Sequence, residues 1–293
     1  MPDAAGKFRG IAIPEVPWLK EATSDATGGR PEIRFDPVPH TYEVFDGTEW
    51  RKDFPSVTQV TKGTVPMPFS AGQWSGMKMA CEGFAEMWMD ANNAMLDHNL
   101  NNSPDEAKLA ENLYESLKMT DHRPDRRLKA AGDRGTLIHE AMENWGVSGE
   151  VPNPADFDPE DRVLIKGIAK WLGDNDPEFL EQEVRTASLK HEYVGTFDAK
   201  ILFRAGEYKG KRALGDWKSS KSVYPDSFFP QLEAYREAER EAGFPDVDFA
   251  AVIHLPVSGC VKVHQSVDSF EDFKVLLDHY RSAEARKRRM KKR

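Results

Sequence analysis

The sequence predicts a mixed α/β fold: a central, mainly antiparallel sheet flanked by helices, with an N-terminal hairpin and a helical elaboration. Two patterns indicate this fold. Apolar residues recur every three to four positions, as in helices, over 70–118, 121–146, 159–175, 227–243 and 269–289. Apolar residues alternate with polar ones, as in strands, over 179–189, 193–205 and 211–220, and two more strands follow at 249–257, which is apolar enough to be buried, and at 260–266.

Composition limits the classes of protein to which the chain can belong. Its 293 residues are enough to bury a sizeable core. Only two cysteines are present, Cys81 and Cys260, which excludes a disulfide framework and a four-cysteine iron–sulfur site. No apolar run is long enough to cross a membrane, and the first residues lack the pattern of a signal peptide. We therefore expect a cytoplasmic protein.

Charge is distributed unevenly. The net charge is −9, but residues 286–293 ("RKRRMKKR") hold seven basic residues. The remaining chain has 33 basic against 49 acidic residues, a net charge of −16. Such a tail is either a solvated, disordered end or an arm that binds nucleic acid, since clustered lysine and arginine release counterions from a phosphate backbone.

The first third of the chain is predicted in three parts. Residues 1–31 are rich in proline, glycine and small polar residues, which indicates a loosely ordered lead-in. Residues 40–60 alternate as a hairpin, with Asp46 and Gly47 in its turn. The helical stretch that follows breaks at residues 101–106, where Ser103 or Asp105 can cap the second helix.

A basic cluster precedes the next predicted helix, which we expect Gly146 to end. This cluster consists of Arg123, Arg126, Arg127, Lys129 and Arg134. Together with the tail, it is a candidate to contact a nucleic-acid backbone. No linker divides the chain, and we assign a lead-in (1–31), a hairpin and helical region (32–130), a core (131–285) and a basic tail (286–293).

The three successive strands over 179–220 carry the chemistry. If the hairpin between the last two turns near Glu207, Asp198 lies opposite Asp216. At an effective dielectric of about 20, two carboxylates about 5 Å apart repel by about 3 kcal/mol. A divalent cation such as Mg²⁺ or Mn²⁺ removes that repulsion. Lys218 shares the face of Asp216, while Trp217 points the other way, so the lysine can stabilise charge on a phosphoryl group.

A second register stays open. In it, Glu183 on the preceding strand joins Asp198 as the pair of carboxylates, and Lys200 is the catalytic lysine. Both registers predict metal-dependent hydrolysis of a phosphodiester.

The chain resembles a known family at these residues. "VGTFDAKI" (194–201), "LGDWKSSKS" (214–222) and "FFPQLEAYREA" (228–238) look like the PD-(D/E)XK nuclease superfamily, in particular its RecB-like and phage-type exonuclease branch. "RGTLIHEAMENW" (134–145) is similar to the upstream helix of that branch. The resemblance covers about residues 130–240 and implies a restriction-endonuclease-like core.

The resemblance also implies roles for individual residues. It makes Asp198, Asp216 and the Trp217 carbonyl ligands of Mg²⁺ or Mn²⁺, and Lys218 the catalytic lysine. The imidazole of His139 would complete the metal site, and Glu183 would assist. Substrate contacts would come from Gln231 and Tyr235, one helical turn apart.

The activity implied by the resemblance is an exonuclease that acts on DNA ends or single strands in a bacterial or phage-infected cell, with recombination or replication proteins as possible partners. Residues 70–130 would then be an arch that admits free ends. The chain lacks the four cysteines of the iron–sulfur members and has no P-loop, so neither an iron–sulfur cluster nor a nucleotide is expected. Two alternatives stay open: a structure- or site-specific endonuclease on the same fold, and a non-catalytic DNA-binding protein with a structural metal.

Overall fold

The computed structural model describes residues 29–65, 105–117, 124–159, 161–220 and 222–291. Within them, a five-stranded sheet is the centre of the fold. Its strands, in spatial order, are β4 (Pro177–Ser188), β5 (Tyr193–Phe203), β6 (Arg212–Lys218), β7 (Phe249–His254) and β8 (Lys262–Gln265). All neighbours pair antiparallel except β6 and β7, which are parallel. The prediction of a mixed fold with a mainly antiparallel sheet is therefore confirmed.

A smaller antiparallel sheet precedes it, formed by β1 (Ile33–Asp36), β2 (Thr41–Phe45) and β3 (Trp50–Arg51). The expected hairpin is thus present, with Gly47 at φ 98° in its turn. It is shorter than predicted, because residues 57–60 belong to a helix. Ser56 accepts the backbone N–H of Gln59, whose side chain accepts the Ser56 N–H, and this capping box starts the helix.

Helices occupy the rest of the described chain. They are α1 (Val57–Thr64), α2 (Glu106–Leu117), α3 (Pro124–Ser148), α4 (Arg162–Asn175), α5 (Pro225–Glu241) and α6 (Phe270–Lys291). The cap of α2 is Asp105, whose carboxylate accepts the Lys108 N–H at 2.8 Å. None of these described helices is long and apolar enough to span a membrane. Most of the proposed arch (70–130) lies outside the described residues.

The helices form one layer on each face of the large sheet. On one face, Ile138 and Met142 of α3 and Ile168 of α4 pack against the sheet around Trp217. On the other face, α1, α5 and α6 cover a second core that includes Phe197, Leu232, Tyr235 and Phe273. The sheet is therefore buried between helices on both faces, and Asp198 and Asp216 within it are only 7% and 3% exposed.

Two predicted helix limits are wrong. The helix α3 begins at Pro124, so the described part of the basic cluster, Arg126 to Arg134, lies within it rather than before it. It also continues through Gly146 to Ser148. A Cβ at Gly146 would lie 2.0 Å from the Gln182 Oε1 atom, so this glycine permits close packing of helix on strand instead of ending the helix.

Both ends of the described chain are more ordered than the sequence suggests. The tail continues α6 as helix through Lys291, so a disordered end is not what the structure shows for residues 286–291. At the other end, Arg30 belongs to the expected lead-in, yet it is only 8% exposed. Its guanidinium binds both oxygens of Glu239 on α5 at 2.8 and 2.6 Å.

Candidate active site

The candidate site lies where β5 and β6 separate. Their ladder is regular up to the pair Ala199 and Gly215. One step further, Asp198 takes over the bonding, because its Oδ2 atom accepts the Trp217 backbone N–H at 2.5 Å. Extending the register of the ladder by one step would place Asp198 across from Asp216, which is the arrangement that the sequence predicts. A carboxylate oxygen thus takes the place of a backbone carbonyl as the acceptor at this point.

Two backbone irregularities determine the positions of the Asp198 and Glu183 side chains. Residues two apart on a regular strand share a face, yet Phe197 packs in the core under α5 and Ala199 in the core under α3 and α4. Asp198 lies at this reversal. Across from it, Glu183 has a φ of 49°, a left-handed conformation that is costly for a residue with a Cβ. Such strain is typical of functional sites.

Three potential metal ligands meet here. The His139 Nδ1 atom of α3 lies 3.4 Å from the Glu183 Oε1 atom and 3.7 Å from the Asp198 Oδ1 atom. One ligand atom from each residue lies within 4.8 Å of the other two. Two carboxylates and an imidazole are suitable donors for Mn²⁺, and the carboxylates also suit Mg²⁺. The residues present therefore fit a single divalent cation.

Asp216 has a different described partner. Its carboxylate is 3% exposed and contacts the Lys218 ammonium directly. The Lys218 ammonium also lies 5.4 Å from the centroid of the Phe228 ring on α5. The structure thus brings Asp216 and Lys218 beside the three ligands but groups Glu183, rather than Asp216, with His139 and Asp198.

The site carries an excess of negative charge. It combines the carboxylates of Glu183, Asp198 and Asp216 with the ammonium of Lys218. Burial, followed by repulsion from Asp216, raises the pKa of Asp198. Burial alone would lower the pKa of His139. The charge of Asp198, together with the hydrogen bond and charge of Glu183, outweighs burial and raises this pKa to about 9. Protons on these ligands therefore offset charge that a divalent cation would neutralise.

Lys218 is held in its charged form. Burial would lower the pKa of its ammonium, but the negative charges of Asp216 and Asp198 outweigh burial and raise it. A charged lysine donates hydrogen bonds and attracts phosphate oxygens, and it does not act as a base near neutral pH.

The backbone of β6 turns the Trp217 carbonyl toward the same space. The Lys218 carbonyl accepts the Leu255 N–H at 2.8 Å, on the side of β7. Because successive carbonyls of a strand point in opposite directions, that of Trp217 points to the side of Asp198. The Trp217 ring packs in the core, 6.4 Å from that of Trp171.

The helix α5 closes one side of the site with Gln231 and Tyr235. The Gln231 Nε2 atom donates to the Tyr235 hydroxyl at 3.0 Å, and both residues are buried. Burial and then the charge of Asp216 raise the pKa of the Tyr235 hydroxyl. A Cβ at Gly195 would lie 2.6 Å from Tyr235 Cε1, so only glycine lets the ring approach this strand.

Lys200, the lysine of the second register, lies elsewhere. Its ammonium binds the Glu239 Oε2 atom at 2.5 Å and the Glu181 Oε2 atom at 2.8 Å. With Arg30, which binds the same two acids, these side chains form a cluster that we call the Arg30 ion network, in which the Glu181 side chain is 30% exposed and the other three residues are buried. The structure thus brings Glu183 and Asp198 together, as that register requires, but directs Lys200 to α5.

The arginines that the sequence predicts to contact the nucleic-acid backbone all lie on α3. Arg126 and Arg127 are in its first turns. Arg134, one and a half turns before His139, pairs with Asp161 at 3.3 Å in front of α4. The described contacts therefore connect Arg134 to the adjacent loop.

Sequence reasoning missed two neighbours of the site. Tyr42 of β2 hydrogen-bonds the Thr196 hydroxyl at 3.1 Å, two residues before Asp198. Glu143 lies one turn after His139, and burial together with the charge of Glu183 raises its pKa to about 7. The spacing of His139 and Glu143 was a usable signal for the second, whereas nothing in the hairpin pattern indicates where Tyr42 lies.

Comparisons with known proteins add no relative: no protein-family model and no curated protein matches this chain.

Proposed function

We propose that this protein is a divalent-metal-dependent DNA nuclease that hydrolyses phosphodiester bonds, acting as an exonuclease on DNA ends or single strands. The observation that carries the proposal is the convergence of His139, Glu183 and Asp198 beside the buried pair of Asp216 and Lys218. The preference for DNA ends follows from the resemblance to RecB-like nucleases and their restriction-endonuclease-like core.

Charge supports a metal in this site. Asp198 and Asp216 are 7% and 3% exposed, and without a metal the Lys218 ammonium and the protons held by Asp198 and His139 offset the charge of the three carboxylates. A divalent cation would replace these two protons, so that the buried carboxylates stay paired when Asp198 and His139 deprotonate to bind it. Bound Mg²⁺ or Mn²⁺ would polarise the phosphate and make water a stronger nucleophile.

The protein's own groups have distinct roles in this proposal. His139, Glu183 and Asp198 hold the cation, and the Trp217 carbonyl is available as a further ligand. Lys218, fixed by Asp216, donates hydrogen bonds to the phosphate and stabilises the charge that develops on its oxygens.

The α5 pair has a supporting role. Gln231 and Tyr235 already bond each other at 3.0 Å, so they are pre-positioned at the wall of the site. We assign them to orienting Lys218 and the phosphate, since rigid neighbours hold catalytic groups in their productive geometry.

The test is degradation of end-labelled linear DNA in Mg²⁺ and in Mn²⁺. Lys218→Ala should abolish cutting. Lys200→Ala is the matched control, a lysine two residues after the other site aspartate, and the soluble, folded fraction of this variant should cut at the wild-type rate. Circular dichroism measures that fraction. If Lys200→Ala is inactive although folded and Lys218→Ala is active, the assignment of the lysine is refuted.

A covalently closed single-stranded circle separates the remaining alternatives. An enzyme that requires an end leaves the circle intact, whereas cutting of the circle indicates an endonuclease. Binding of DNA without cutting in either metal would refute the proposed hydrolysis and identify a DNA-binding protein.

A further inference from the structure

The last turns of α6 are exposed to solvent. Phe273 and Leu277 anchor the helix in the core. Its last described anchor is Arg281, whose guanidinium donates to the carbonyls of His191 and Glu192 at 2.6 and 3.2 Å. Beyond it, every residue from Ala285 to Lys291 is exposed.

Basic side chains cover this exposed end on all sides. They are Arg286, Lys287, Arg288, Arg289 and Lys291, with Lys292 and Arg293 following in the sequence. At about 100° per residue, the five helical ones point in every direction around the axis. Glu284 offsets part of this charge through its contact with the Lys287 ammonium at 2.7 Å.

Stabilisation of the helix itself does not explain five basic residues in its last two turns. A few cations at a helix C-terminus complement the helix dipole. However, like charges spaced three or four apart, such as Lys287 and Lys291, repel each other and destabilise the helix. A polyanion removes this repulsion, and the net charge of −16 on the rest of the chain makes this end the place to which a polyanion is attracted.

We propose that residues 285–291 form a basic helical arm that, with Lys292 and Arg293 following it in the sequence, binds the phosphate backbone of a polynucleotide without regard to its base sequence. The arm lacks the apolar face with which amphipathic helices enter lipid, since Met290 is the only large apolar residue among 285–293. Nucleic acid is therefore favoured over a membrane. This contact is separate from the chemistry proposed above and depends on α6 alone.

The test measures binding, so it does not depend on cutting. Fluorescence anisotropy of labelled single-stranded DNA, duplex DNA and RNA is recorded in EDTA for the full chain. The arm variant replaces Arg286, Lys287, Arg288, Arg289 and Lys291 with glutamine, a good helix former. The control replaces five exposed lysines elsewhere, giving the same net charge: Lys166, Lys170, Lys190, Lys209 and Lys211.

Five phosphate contacts, each with a slope of about −0.7 on single strands, weaken binding about 100-fold between 50 and 200 mM salt. We expect this dependence in the wild type and the control, together with at least a tenfold loss of affinity at 50 mM salt in the arm variant. Equal weakening in both variants would assign the effect to net charge and overturn the proposal. So would unchanged affinity in the arm variant, or a wild type that sediments with phosphatidylserine vesicles but binds none of the polynucleotides.

Discussion

Removing one acid from the Arg30 ion network should destabilise the whole protein. In Glu239→Gln, the two cations that share the Glu239 carboxylate keep only Glu181 as an anionic partner. Glu239 is 4% exposed, so its charge is almost fully desolvated. Breaking a buried ion pair by removing one partner costs about 3–5 kcal/mol. With an m-value of about 3 kcal/mol per molar, the urea midpoint should fall by roughly 1–2 M.

The assay is urea unfolding followed by tryptophan fluorescence at pH 7. Lys170→Gln is the matched control: it breaks an ion pair with Asp174 whose side chains are 74% and 58% exposed. An exposed pair contributes less than about 1 kcal/mol, so its midpoint should hardly change. If Glu239→Gln also lowers the free energy of unfolding by less than about 1 kcal/mol, the Arg30 ion network does not anchor the segment around Arg30, and the reasoning is refuted.

Acid provides a second test of the same network. Burial would raise the pKa of Glu239, but the hydrogen bonds and charges of Arg30 and Lys200 outweigh it and lower it. The folded protein therefore holds this proton more weakly than the unfolded chain. The stability that Glu239 contributes is complete above its ordinary pKa of about 4.3 and is lost as the pH falls through the lowered value. The difference between wild type and Glu239→Gln should be constant from pH 6 to 8 and shrink below about pH 4.

Three further predictions concern the site and its support. Gly195→Ala should displace the Tyr235 ring, lowering the free energy of unfolding in urea by about 1–3 kcal/mol and reducing DNA cutting. A variant as stable as the wild type would contradict the overlap of the added Cβ with the ring. Since the pKa of His139 is raised to about 9, Mn²⁺ binding at pH 7 should release at least one proton, measured by calorimetry in buffers of different ionisation enthalpy. Affinity for Mn²⁺ should rise with pH, and binding without proton release would place the ion elsewhere. Ser56→Ala removes the hydroxyl that accepts the Gln59 N–H at the start of α1. It should lower the free energy of unfolding by about 1 kcal/mol without affecting DNA cutting.

The hairpin of β5 and β6 could be predicted because its signals are local. Strand alternation separates Lys218 from Trp217, and the glycines in the turn, Gly206 and Gly210, both have positive φ. These features place Asp198 across from Asp216 without knowledge of the rest of the fold.

Other parts of the site depend on long-range packing. No propensity indicates a left-handed backbone at Glu183, so its place beside His139 could not be read from the strand pattern. The partners of Arg30 are 151 and 209 residues away along the chain, and a single sequence contains no signal for such pairs. The start of α1, in contrast, does have a local signal, because Ser56 and Gln59 match the capping-box pattern. The prediction of a hairpin through residue 60 overlooked it.

The parallel pairing of β6 with β7 has a consequence for how the protein reaches its native state. The strands β4, β5 and β6 follow one another through short turns, so they can pair early by local contacts. In contrast, β7 can pair only after the chain has crossed the sheet through α5. The helix α3 then packs on a core that includes Ile253 of β7. We therefore expect the acidic side chains to meet first and the imidazole of His139 to arrive last, so that a partly folded chain lacks a complete set of ligands.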